Sequence, residues 1–149
     1  MAEQRAVASS TDTSRISFRA VFLAALIAGG GFLLLEYIVS AAGLPTPLGP
    51  SKTIPAVIGA ESTGGITALV TIVHFSVSLF TVMVLGLVVH RMPLYLAVAL
   101  GTVYGTVLYV ISFLVLVSVP GLSLGASTII ALLYAAYGGL AATLYKAFQ

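Results

Sequence analysis

Two ionisable side chains, Glu36 and His74, are set inside long apolar stretches of a chain that otherwise keeps its charges at the edges. Such a group is costly in hydrocarbon, so it faces a protein interior or a watery cavity and is a candidate for proton, ion or ligand chemistry. His74 also belongs to a polar series. Thr67, Thr71, His74, Ser78 and Thr81 follow at steps of four, three, four and three, so a helix carries them on one face. That face has two readings. Its hydroxyls either glue helices together, each contact contributing on the order of 0.6 kcal/mol, or line a path for water or a ligand with His74 about halfway along. Threonine and serine can also bond back to their own helix carbonyls, which makes them inexpensive in a membrane. A neutral imidazole suits proton relay, metal ligation or an axial haem position. The other histidine, His90, lies about 24 Å away along the same helix, and a haem held by His74 alone would need a partner subunit or an open position. No metal, haem or other cofactor is therefore expected. Glu36, beside Tyr37, either pairs with loop amides or Lys52 at the interface, or sits protonated or cation-loaded within the bundle. Rises along the helices put it about 5 Å deep and His74 about 12 Å deep.

These groups have to be positioned by helices in a membrane. The chain has 149 residues, 60% hydrophobic and 7% charged, with a mean hydropathy of +1.17. Soluble domains carry about 25% charged residues, so this chain cannot cover itself with a water-compatible surface. Its formal charge of +2 is spread along the chain, with none of the basic patch a nucleic-acid binder needs. It has no cysteine, which excludes disulfides, thiolate nucleophiles and cysteine-held metal clusters.

Apolar blocks of about 20 residues cross the hydrocarbon core. They predict an all-α, polytopic membrane protein, four transmembrane helices in a bundle, with spans at about 18–42, 66–89, 94–119 and 126–145. Residues 1–16 read as a mobile cytoplasmic tail, and the first block is too long for a signal peptide. Arg5, Arg15 and Arg19 lie before or at the start of the first span, Arg91 lies between the second and third, and Lys146 follows the fourth. Lys52 lies on the other side. The positive-inside rule then puts both termini in the cytoplasm of a multi-pass inner-membrane protein.

The outer connection, 43–65, carries Pro45, Pro47, Pro50 and Pro55, which bias it toward an extended opening. Its Ile54-to-Gly59 stretch is apolar enough to lie at the membrane surface. The loop, with Pro47, Pro50 and Lys52, is either a stiff connector or a docking lid on the outer face. Helix contacts are marked by small residues, which let backbones approach closely where lipid supplies no hydrophobic drive. Ala97, Gly101 and Gly105 form such a series in the third span, Ala131, Ala135, Gly138 or Gly139 and Ala142 in the fourth, and Ala24, Ala28 and Gly29-Gly30-Gly31 in the first. Tyr104, Tyr109, Tyr134 and Tyr137 fall within helices, where each hydroxyl needs a partner.

Glu36, the P-T-P-L-G-P-S-K run (Pro45–Lys52), His74-Phe75 with Ser78 and Gly86, and Tyr104-Gly105 with Tyr109 and Phe113 together carry a resemblance over most of the chain. It resembles a group of small four-helix bacterial inner-membrane proteins of uncharacterised function that often bear the label "sodium:proline symporter". A symporter of that kind needs many more spans. Members often have Arg at Lys52, Asn at Ser112 and a further histidine in the fourth helix; this fourth helix has none. The resemblance directs interest to Glu36 and His74 and implies no activity.

No phosphate-binding loop, dinucleotide fingerprint, zinc-protease motif or catalytic carboxylate pair is present, and no enzyme is expected. Two functions fit. One is a non-catalytic accessory subunit of a larger membrane complex, for example a respiratory or other electron-transfer assembly. The other is a small oligomeric proton- or ion-coupled transporter or channel with a Thr/His-lined path. The expected partners are the lipid bilayer and other integral membrane subunits or further copies of the chain. Where the polar stripe points separates the two.

Overall fold

The computed structural model describes residues 16–44, 64–117 and 128–149. Within them the chain forms α1 (Phe18–Ala41), α2 (Gly64–Val89), α3 (Leu94–Val117) and α4 (Thr128–Phe148). All four are long and apolar enough to cross a membrane, which with the composition is the make-up of a multi-pass membrane protein. The spacing placed the start of α2 at 66 and the end of α4 at 145; the helices begin two residues earlier and end three later. Most of the tail, the proline-rich segment with Pro47, Pro50 and Lys52, and the 118–127 link lie outside the described residues.

Local signals set the ends. Ser17 stands before α1 in extended geometry, and its hydroxyl accepts from the Ala20 amide at 3.2 Å, satisfying one of the helix's orphan donors. At the other end Gly43 adopts φ +76°. Its amide donates to Ser40 and the Leu44 amide to Val39, the paired bonds of a Schellman cap that glycine enters without a Cβ penalty. Pro93 precedes α3, and its carbonyl accepts the first helical bond from Ala97. A proline there gives up no amide that the helix would have used.

At the other end of the α2–α3 turn, α4 reaches back. Lys146 Nζ donates to the His90 carbonyl at 3.0 Å and to Gln149 Oε1 at 2.7 Å, and Gln149 Nε2 donates to the same carbonyl. A cation thus sits where α2 exposes its negative end, a favourable placement for the helix dipole.

α3 and α4 make the most intimate pair, followed by α1 with α4 and α1 with α2; α2 touches α3 and α4 more lightly. α4 is therefore the hub. The cause of the α3–α4 fit is the absence of side chains. A Cβ placed on Gly105 would fall on the Tyr134 carbonyl, one on Gly101 would meet the Gly138 carbonyl and lie 2.7 Å from Ala142 Cβ, and one on Gly138 would fall on the Gly101 carbonyl. Backbone packs on backbone here. Ala97 is fully buried in the same seam, while Ala131 and Ala135 are half-buried and Gly139 is buried with Thr102 over it. α1 uses its small face in the same way: Ala20, Ala24, Ala25 and Ala28 form its inner side, against Val82, Leu85 and Val89 of α2 and Ala141 and Tyr145 of α4. Gly31 of the triple-glycine run has nothing within 4 Å of its missing side chain.

Gly105→Ala should therefore lower stability by about 1–3 kcal/mol, the range for forcing atoms into a packed contact. Gly31→Ala should leave stability unchanged or raise it slightly through helix propensity. Unfolding of both variants in one detergent, followed by circular dichroism, measures the difference.

Candidate functional site

The polar stripe on α2 does not stay on one buried face. Ser78 and Thr81 are buried at 3% and 8% exposure, His74 is half-buried, and Thr67 and Thr71 are exposed. The expectation that Thr67 and Thr71 are buried polar groups is corrected by this. α2 meets α1 at His74 and Ser78, and in its earlier turns Val70 is buried while both threonines are exposed. Thr71 satisfies itself by donating to the Thr67 carbonyl at 2.9 Å, the back-bond that lets threonine face an apolar medium.

The inner half of the stripe forms a network across all four helices. Ser78 Oγ donates to the Ala25 carbonyl of α1 at 3.0 Å and lies 2.9 Å from the Tyr137 hydroxyl of α4. Thr81 Oγ1 donates to the Ser78 carbonyl and is 3.0 Å from the same Tyr137 hydroxyl. Tyr104 of α3 donates to the Thr81 carbonyl at 3.1 Å. One hydroxyl, that of Tyr137, thus sits between two α2 hydroxyls, and every helix of the bundle contributes a partner. In a low-dielectric interior a fully satisfied network of this kind fixes register, because slipping any helix strands a buried polar group.

His74 joins α2 to α1 one turn away. Its Nε2 lies 3.0 Å from the Gly29 carbonyl, so Nε2 carries the proton and donates. The close approach depends on Gly29: a Cβ there would stand 2.7 Å from Ser78 Oγ and 3.4 Å from His74 Nε2. Around His74 lies a ring cluster. Phe32 stacks on its imidazole with centroids 5.9 Å apart and meets Tyr134 and Tyr137 edge-on at 5.0 and 5.8 Å; Phe75 and His74 meet edge-on at 5.6 Å. Tyr134 also contacts Tyr109, which stacks on Phe113. Edge-to-face pairs contribute about 0.5–1.5 kcal/mol beyond area burial.

Glu36 is fully buried, at 0% exposure, one turn of α1 beyond Phe32 and close enough to Tyr134 for the two groups to interact electrostatically. Tyr134 points its hydroxyl at Ser112 Oγ, 3.4 Å away. Glu36 and His74 occupy the same half of the bundle, yet His74 commits its Nε2 proton to Gly29 rather than to Glu36. The expected pairing of Glu36 with Lys52 falls outside the described residues. Among the described residues no three histidine, aspartate or glutamate side chains stand together as a metal-holding group. The arrangement orders helices and holds one buried carboxyl beside tyrosines.

Phe32 and Gly29 were not legible as partners of His74, since an apolar residue and a glycine within a triple-glycine run carry no register. Ser17 had a signal, a hydroxyl residue just before an apolar run. Lys146 was legible only as a topology charge.

No protein-family model, no curated protein and no solved structure matches the chain, so the functional reading rests on this geometry.

Tyr137→Phe should cost about 1–2 kcal/mol, since it removes one hydroxyl shared by Ser78 and Thr81. Thr67→Val and Thr71→Val should each stay within about 0.5 kcal/mol of the parent. The three variants compared by denaturation in lipid-detergent micelles test the division of the stripe; equal losses at Thr71 and Tyr137 would contradict it.

Proposed function

We propose that this chain is a small, non-catalytic integral-membrane subunit that packs against and stabilises a larger membrane complex. The observation that carries the reading is the direction of the stripe. Ser78 and Thr81, which a conduction path would have to expose, are closed onto Ala25, Tyr137 and Tyr104 of the chain's own bundle. A transporter or channel built from several copies would need them turned toward a shared axis.

A second observation supports a large partner. In α3 only 11% of the most apolar window is buried inside the chain, against 33–39% in the other three helices. Its outward side, with Val103, Val107, Val110, Ile111 and Leu114 exposed, is an aliphatic face that no other described helix of the chain covers. Within this reading Glu36 and His74 hold α1 in place, and a respiratory or other electron-transfer complex is one class of host. The membrane is the inner membrane, with both termini cytoplasmic. Arg19, Arg91 and Lys146 support that orientation, because the antiparallel order of the helices puts all three at one end of the bundle.

Gentle extraction from the native membrane, followed by a native gel and mass spectrometry, should find the chain in stoichiometric amount within a larger assembly. Val107→Trp and Ile111→Trp should release it from that assembly while its own unfolding in detergent stays within about 0.5 kcal/mol of the parent. A homo-oligomer free of other proteins would overturn the proposal.

A further inference from the structure

Between α1 and α2, on the outside of the bundle, runs an open apolar groove of about 380 Å³. Phe22 and Leu26 form its α1 wall, Ile72, Phe75 and Leu79 its α2 wall, and Ala25 its floor. Two hydroxyls border it, Thr71 and Ser76, and each already donates to the carbonyl four residues back, Thr67 and Ile72. The groove therefore offers no uncommitted donor, and what it takes is hydrocarbon.

What lies at the groove's end names the rest of the occupant. Arg19, Phe22 and Leu26 are spaced i, i+3 and i+7 and so form one ridge of α1. Arg19 stands about one turn beyond Phe22, toward the end of the bundle that carries the cations. Its side chain is exposed, and no hydrogen bond or ion pair joins it to another described residue. Lys146 at the same end differs, being committed to the His90 carbonyl and Gln149. An apolar groove ending in an exposed guanidinium complements one kind of molecule, an amphiphile with an alkyl chain and an anionic head. Arginine suits a phosphate because its planar fork donates two parallel hydrogen bonds.

We propose that this groove binds an anionic phospholipid, with an acyl chain between Phe22, Leu26, Phe75 and Leu79 and the headgroup phosphate on Arg19. The site is independent of the partner complex. It would anchor α1 against α2 on the outside of the bundle, opposite the internal bonds from Ser78 and His74.

The test uses the full chain, purified and delipidated in an uncharged detergent, with lipid binding read by native mass spectrometry. Phosphatidylglycerol should bind about fivefold more tightly than phosphatidylcholine with the same tails, the ratio expected for one arginine near an anionic head. Arg19→Gln should bring the ratio to about one, whereas Arg91→Gln, which removes an exposed cation of the α2–α3 turn, should preserve most of it. Ser76→Trp, which fills the groove, should weaken both lipids. Glycerol phosphate should not displace the lipid, because the tail supplies most of the contact. Equal binding of the two lipids, an unchanged ratio in Arg19→Gln, equal losses in the two arginine variants, or displacement by glycerol phosphate would each overturn the proposal.

Discussion

The bundle depends on backbone meeting backbone between α3 and α4. Gly101 and Gly105 on one helix and Gly138 on the other leave no side chain between them, so carbonyls lie where Cβ atoms would otherwise be. In a bilayer, lipid tails are as apolar as leucine, and helices gain little by hiding apolar surface from them. Close van der Waals contact and interhelical hydrogen bonds must supply the attraction instead. The glycine seam supplies the first. By setting the position and rotation of α4, it also enables the second, because Tyr137 lies on the turn next to Gly138 and is aimed from there at Ser78 and Thr81 of α2.

The polar groups then act as registration pins. Ser78 reaches the Ala25 carbonyl and His74 the Gly29 carbonyl, four residues apart on both helices. Matching intervals of this kind define one axial offset between α1 and α2. Tyr104 ties α3 to the same turn of α2 through the Thr81 carbonyl, which matters because α2 and α3 otherwise touch lightly. Lys146 closes the far end by capping α2 from α4. The arrangement leaves the α3 outer face and the α1–α2 groove uncovered by the described residues, and these are the surfaces proposed for a protein and for a lipid.

Much of this was legible in the sequence, for physical reasons that differ by element. Four helices follow from apolar runs of spanning length, and the α3 seam from Gly101 and Gly105 at a four-residue interval. The direction of the stripe was not legible. Thr67, Thr71, His74, Ser78 and Thr81 share a helical face by spacing, but which of them are covered is set by packing, and the burial that takes in Ser78 and Thr81 leaves Thr67 and Thr71 exposed. Gly29 as the acceptor of His74 was hidden for a similar reason: any of three adjacent glycines could have stood at the contact. Glu36 was legible as an anomaly, and its complete burial beside Tyr134 fits that reading, while its suggested partner Lys52 lies outside the described residues.

Ser78 and Thr81 close a lock inside the chain rather than line an aqueous path. The chain contains no cysteine, so single Thr67→Cys, Thr71→Cys, Ser78→Cys and Thr81→Cys variants can be probed in native membranes with a membrane-impermeant maleimide. No labelling is expected at 78 and 81 until the protein is unfolded in detergent. Labelling of 78 and 81 in the folded protein, in step with 71 and 67, would mean that water runs the length of the stripe and would contradict it.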